Sequence, residues 1–363
     1  MRTKEGTVRK YHQIEQELKT MILRGEISPG DKLPSENKLV SMYGVSRQTV
    51  RKALYDLEAE GYVYAVHGSG TYCSDGVKLK SDSGDIAVVM TYLSDYIFPK
   101  VINGIDSVLS DNGYSIILKH TNNSRTREVQ CLEEILQKNV DGVIIEPSKS
   151  NMFCRHKELY DKLDKYGIPY IFIQGSYSVM GDKVHVLLDD EQGEYLLTKY
   201  LIELGHREIL GVFKSDDSQG QNRHKGYVKA LREAGIPYDP ENVIWFYTED
   251  RAIHPYESVQ SIIKSGRKID AIVAYNDQLA MHLIKALKEV GLKVPEDISI
   301  TGYDNSQMAS SSGVRLTTIV HPQEELGKMA AELLLKMLKG EEVQKRVIIE
   351  PELIVGNSCK KRM

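Results

Sequence analysis

Downstream of residue 85, short β-branched runs alternate with amphipathic stretches. The apolar runs are IAVVM (86–90), YSIIL (114–118), GVIIE (142–146), YIFI (170–173), VHVLL (184–188), ILGVF (209–213), AIVAY (271–275) and ISITGY (298–303). Between them, apolar positions recur at helical spacing over 126–138, 191–204, 221–234, 277–290 and 323–338. Strand then helix, repeated, predicts parallel sheets joined by right-handed crossovers. Roughly 275 residues exceed one small open sheet and suit two similar α/β lobes side by side.

The first 73 residues follow another pattern. Tyr11, Ile14, Leu18 and Ile22 mark one face of a helix over about 10–24, stopped at Gly25. Pro29-Gly30 makes a turn, and Pro34-Ser35 opens a second helix that ends at Gly44, with Ser35 as its cap. Ser46 then caps a third helix, RQTVRKALYDLEAEG, whose buried side carries Val50, Leu54 and Leu57. Two short helices joined by a tight turn containing glycine form a helix-turn-helix pattern. Polar residues 74–84 (SDGVKLKSDSG) read as a linker, dividing the chain into 1–73, 74–84 and 85–363.

Between helix three and the linker lies YAVHGSGTY. Glycines at this spacing can open a phosphate cradle, but a cradle needs a helix directly after them. Here Thr71-Tyr72-Cys73 continues as a strand, so Gly68 and Gly70 allow a tight strand reversal instead. Arg47 and Arg51 sit four apart at the exposed start of helix three and share one face. A guanidinium there can pair bidentately with guanine O6 and N7 once the helix enters the major groove. Gln48 and Thr49 stand beside them as further base or phosphate contacts.

Composition narrows the classes. Of 363 residues, 41% are hydrophobic and 27% charged, as in ordinary globular proteins. No run approaches the ~18 apolar residues that span a membrane, and the basic N-terminus lacks the apolar run of a secretory signal. Four scattered cysteines without C-x-x-C spacing argue against a disulfide framework or structural zinc and suit a reducing cytoplasm. The net charge of −4 is uneven: residues 1–78 hold 12 Lys+Arg against 10 Asp+Glu, so affinity for an acidic polymer belongs at the N-terminus. No G-x-S-x-G elbow, H-E-x-x-H or complete G-x-G-x-x-G with a following helix is present.

The stretch LPSENKLVSMYGVSRQTVRKALYDLEAEGYVYAVHGSGTY resembles the winged helix-turn-helix of the GntR family of bacterial transcription regulators. The resemblance covers about residues 9–73 and implies binding to an inverted repeat in double-stranded DNA as a homodimer. Carried onto this chain, the contacts would be Ser35 and Glu36, then Arg47, Gln48, Thr49 and Arg51, and His67, Gly68 and Gly70 in the wing. Lys10, at the head of helix one, would meet phosphate, and acidic Glu36 would orient Arg47 or Arg51.

Further on, DDEQGEYLLTKYLIELGHREI (189–209), RHKGYVKAL (223–231), AIVAYNDQLAMHLIKALKEVGLKVPEDISITGYDNS (271–306) and LTTIVHP (316–322) resemble the effector domain of the LacI family. The fold class implied is a two-lobed α/β, periplasmic-binding-protein-like effector domain behind a small winged helix-turn-helix. A GntR-type reader on a LacI-type sensor is similar to the L-arabinose repressors of Gram-positive bacteria, as are TYLSDYIFPKVINGI, TNNSR and DGVIIEPSKS. That implies a small sugar effector, L-arabinose, and no cofactor.

In open α/β sheets, ligands sit beyond the carboxyl ends of the strands. The polar and aromatic residues there are Tyr92, Asp95, Tyr96, Phe98, Glu146, Gln174, Arg223, Asn276, Asp304 and His321. A buried hydroxyl without a partner costs roughly 1–3 kcal/mol, so a neutral sugar needs such paired donors and acceptors. By resemblance, Glu146, Gln174, Arg223, Asn276, Asp304 and His321 fall on effector-contact positions, with Arg223 and Asp304 gripping vicinal hydroxyls. Asp277 is expected to cap the helix after AIVAY, Asp189 and Asp190 to start helix 191–204, and Tyr303 to pack. Three readings stand at this point: a sugar-relieved repressor, the same architecture with another effector or acting as an activator, and a sugar-processing enzyme with an accessory reader.

Overall fold

The computed structural model describes residues 4–23, 26–74, 83–93, 96–307 and 313–362. The reader is built from α1 (Lys4–Leu23), α2 (Glu36–Tyr43), α3 (Arg47–Ala59), β1 (Val63–Val66) and β2 (Gly70–Cys73). Ile14, Leu18 and Ile22 of α1, Leu39 of α2, and Val50, Ala53, Leu54 and Leu57 of α3 close one core with Tyr62 and Val63 under the hairpin. Helix α1 starts at Lys4, earlier than the apolar period indicates, so Lys10 lies inside the helix rather than at its head. The Ser35 hydroxyl accepts from Lys38 N at 3.3 Å and the Ser46 hydroxyl from Thr49 N at 3.2 Å, so both caps form. Between the two helices Gly44 takes the left-handed conformation, φ +59°, and its N–H donates to Val40 O. The wing pairs Val63 with Cys73 through Val66 with Gly70, antiparallel. Residues 75–82 of the expected linker lie outside the described residues.

The first lobe begins with β3 (Asp85–Met90), α4 (Phe98–Asp111), β4 (Ser115–His120), α5 (Arg125–Gln137), β5 (Gly142–Ile145), α6 (Lys157–Lys165), β6 (Tyr170–Ile173) and β7 (His185–Leu188). The second lobe follows with α7 (Asp190–Glu203), β8 (Ile209–Lys214), α8 (Ser218–Glu233), β9 (Val243–Phe246), α9 (His254–Lys264), β10 (Ala271–Ala274), α10 (Asp277–Glu289) and β11 (Ser299–Thr301). The chain then returns through β12 (Thr318–Val320), α11 (Gln323–Leu338), β13 (Arg346–Ile349) and β14 (Glu352–Ile354).

Two sheets result. One runs β13-β7-β6-β5-β3-β4 and the other β11-β10-β8-β9, all neighbours parallel. Strands β5 and β6 are buried along their whole length, which is why they read as continuous apolar runs. In each sheet the strand order reverses beside one strand, β3 in the first and β8 in the second. Such switch points open a crevice at the carboxyl ends. Helix α11 completes the first lobe by crossing α4 closely: a Cβ on Gly104 would lie 2.1 Å from Glu324 O, and one on Gly327 2.2 Å from Val101 O. Antiparallel β12 and β14 lie where the chain passes back from the second lobe to the first.

Candidate functional site

Arg47 and Gln48 are exposed at the start of α3, and Ser35, His67, Gly68, Gly70 and Lys10 are exposed as well. Arg51 Nε donates to both oxygens of Glu36, at 2.9 and 3.1 Å, so the acidic residue orients Arg51. Thr49 departs from expectation. It is buried, and its hydroxyl shares a 2.8 Å hydrogen bond with Ser46, because position three of a capped helix faces back into the turn. It braces the turn instead of presenting a group to bases. Gly68 at φ +75° and Gly70 at φ +129° shape the wing tip. Tyr64 and Tyr72 stack at 5.8 Å below it, and the Lys32 ammonium lies 5.9 Å from the Tyr72 ring. Lys32 is a cation of this face that helical periodicity did not single out.

A cavity of about 430 Å³ opens between the lobes at both switch points. Tyr92, Tyr96, Phe98, Glu146, Gln174, Arg223, Asn276, Asp304 and His321 all line it. Asp95 lies outside the described residues. Arg223 is buried on α8, with Nε 2.8 Å from Asp190 Oδ1 and Nη2 3.6 Å from Asp304 Oδ1. Its guanidinium lies 3.6 Å from the ring centroid of Tyr303, a cation–π contact that fixes the plane of the fork. Tyr303 is fully buried, as a packing residue should be. Asp304, at φ +99°, accepts from the Tyr96 hydroxyl at 2.6 Å. Glu146 accepts from the Thr91 N–H at 2.8 Å and hydroxyl at 2.6 Å. Three buried polar atoms on this wall have no hydrogen-bond partner among the described residues: Gln174 Nε2, Asp304 Oδ1 and His321 Nδ1. Buried polar groups are normally satisfied, so these three are available to hydroxyls.

Helix capping differs from expectation in one place. Asn276, not Asp277, caps α10 through Leu279 N at 2.9 Å. The Asp277 carboxylate turns inward to the Ser306 N–H and the Thr318 hydroxyl, both at 2.7 Å. Asp189 does cap α7. Its neighbour Asp190 points the other way, into the cavity wall.

Residues 10–73 match the family model of the bacterial regulatory proteins of the gntR family, and residues 198–359 that of the periplasmic binding protein-like domain. Similarity also runs nearly end to end with two proteins called arabinose metabolism transcriptional repressor. The one from Halalkalibacterium halodurans is 40% identical over 96% of this chain and 96% of its own. The one from Geobacillus stearothermophilus is 40% identical over 98% of this chain and 99% of its own. The chain belongs to the GntR-type arabinose metabolism repressors. Among solved structures, a LacI family regulator from Enterococcus faecium with bound ribose superposes with a TM-score of 0.67, at 27% identity, over 77% of this chain and 100% of that one. These relatives are regulators, and this repressor is a regulator rather than an enzyme. No helix among its described residues is long and apolar enough to cross a membrane.

The repressor's cavity contains more charge than strand ends alone indicated: Asp190, Lys214, Asp217 and Arg251 line it too, beside the neutral Tyr275. Lys214 closes the fully buried strand β8, and a lysine ending an apolar run just before Asp216-Asp217 was the available signal. Its ammonium sits 2.9 Å from Asp217, which also accepts from the Tyr275 hydroxyl at 2.7 Å and, as the cap of α8, from the Gly220 N–H at 2.8 Å. Burial opposes the Lys214 charge, but Asp217 and Asp216 outweigh it and hold the amine above its ordinary range. Burial pushes Glu146 from 4.5 up to about 7. It lifts Asp190 to about 6, against the pull of Arg223. Burial, and then the Asp304 charge, take Asp277 to about 7. His321 is shifted down by burial, so it enters the site as a neutral imidazole.

Proposed function

We propose that this repressor binds palindromic operators as a homodimer in the cytoplasm and is released when L-arabinose occupies the cleft. The chain divides accordingly into a reader (1–73), a linker (74–84) and a sensor (85–363). In the reader, Arg47, Gln48 and Arg51 meet base edges in the major groove, and Ser35, Glu36 and Lys10 order the backbone side of the contact. His67, Gly68 and Gly70 lie along the adjacent minor groove, where glycines let the wing backbone approach closely. The single observation that carries the reading is the near-full-length likeness to arabinose metabolism repressors, joined to a cleft with the chemistry of a neutral polyol site. Carboxylates Glu146 and Asp304 accept from hydroxyls, Arg223 and Gln174 donate, and Tyr92 and Phe98 offer faces to ring C–H groups. Asp190 and Asp304 neutralise Arg223, which disfavours a phosphorylated ligand.

Sugar acts by binding one arrangement of the lobes better than another, a coupling typically worth ~1–3 kcal/mol. A gel shift on a palindromic promoter site tests this: L-arabinose should release the repressor. Retention with L-arabinose but release by D-ribose would favour the second reading, which the ribose-bound neighbour supports, of the same architecture tuned to another pentose.

A further inference from the structure

The two lobes also touch at a place away from the chain connections between them. After β5 the chain runs Glu146-Pro147-Ser148-Lys149-Ser150-Asn151 along the cleft edge. Its first half is tied to the first lobe. Ser148 N–H donates to buried Glu128, its hydroxyl to Thr121 at 2.7 Å, and its carbonyl accepts from Tyr177 at 2.7 Å. Glu128 is itself held by His156 at 2.8 Å and Tyr160 at 2.6 Å, which makes a stiff polar base.

The second half reaches across. Asn151 Nδ2 donates to Ser215 O at 2.9 Å, and Ser218 N donates to the Ser150 hydroxyl at 2.9 Å. Lys149, held at φ +49° by a 2.7 Å hydrogen bond from its N–H to Asn123 Oδ1, places its ammonium 3.5 Å from Asp216 and pairs with Glu249. Asn123 adds its own bridge to Thr248 at 2.6 Å. The two arms of Lys149 are unequal. Glu249 is 66% exposed, and such pairs contribute little. Asp216 is fully buried, takes the Thr248 N–H at 3.1 Å, and lies 3.6 Å from Lys214 of the cavity wall. One buried carboxylate therefore stands between a lysine of the ligand cavity and a lysine of the cleft edge.

From this geometry we infer that Lys149 and Asn123 form an interlobe clasp. The clasp holds the lobes together and is coupled to cavity occupancy through the Lys214–Asp216–Lys149 chain, so that Lys149 is a positioning residue for the sugar response. The inference rests on the sensor reading above but stays separable from it. An interlobe distance from spin labels at Asp111→Cys and Lys264→Cys, on α4 and α9 of the full chain, reads closure without any sugar. Lys149→Met should broaden or lengthen that distance in sugar-free protein, while Lys149→Arg keeps it. The L-arabinose concentration that half-releases operator should rise about tenfold in Lys149→Met. Glu249→Gln should change neither distance nor release. A folded Lys149→Met chain with wild-type distance and wild-type release overturns the clasp. Failure of wild-type protein to respond to L-arabinose would remove the sugar assignment, and the sugar-free distances would still decide the clasp.

Discussion

The reader and the cleft hold their charged groups in opposite ways. On the reader, Arg51 and Glu36 pair while 69% and 38% exposed. An ion pair in that setting contributes ~0–1 kcal/mol, and incoming phosphate or a base edge can replace it at little cost. In the cleft, Arg223 is 4% exposed and locked between carboxylates from α7 and from the segment after β11, with the Tyr303 and Tyr275 ring centroids 3.6 and 4.7 Å from its guanidinium. Removing it strands two buried charges. The lesson is that the reader's chemistry can be altered with little loss of fold, whereas the sensor's chemistry is part of its fold.

The sharpest way to break that contrast is Arg223→Met, which should abolish the sugar response and lower the sensor's stability by ~3–5 kcal/mol. Calorimetry that found an unfolding transition like the wild type's would show the pair to be dispensable. Next comes pH. Glu146 has a folded value raised from 4.5 to about 7 by burial. Its contribution is therefore complete below pH 4.5 and disappears as pH rises through 7, up to about 3 kcal/mol. Melting temperatures recorded between pH 5 and 8 should fall on the alkaline side, and Glu146→Gln should flatten that slope. Third, Arg51→Ala should cut preference for the operator over random DNA by ~1–3 kcal/mol and leave the melting curve nearly unmoved; retained preference in competition gel shifts would contradict the recognition-helix assignment. The smallest effect is Ser46→Ala, which removes a cap and should cost the reader ~1 kcal/mol in chemical denaturation.

The same contrast governs what the sequence discloses. The reader is made from consecutive elements, so caps, glycine turn and apolar period describe nearly all of it locally. Strands β5 and β6 were legible because both faces are covered, and their apolar runs are unbroken. Strand β13 was passed over: it is the half-exposed edge of its sheet, and its apolar run, Val347-Ile348-Ile349, is only three residues long between charged neighbours. Short β9 and helices α4, α6 and α9 were likewise missed. At the cleft, the rule of looking beyond strand ends picked out positions that do line the cavity. Direction was harder to read. Asp189 and Asp190 are neighbours of identical type, yet one caps α7 and the other turns to Arg223. Asn276 took the cap expected of Asp277. Contacts such as Lys149 with Asp216 join segments that only folding brings together.

The return of the chain through α11 and β13 has a consequence for synthesis on the ribosome. The reader's own core joins consecutive elements and can form early, although α1 also rests on the first lobe, where the Tyr166 hydroxyl donates to Ile22 O at 3.1 Å. The first lobe cannot: Leu326, Ala330, Ala331 and Leu334 of α11 fill its core beside Val101 and Ile105 of α4, and β13 completes its sheet. Those residues are translated after all four strands of the second lobe's sheet. A nascent or truncated chain is thus a finished reader joined to a half-built sensor whose α4 surface stays wet, open to chaperones and proteases until the last segment arrives.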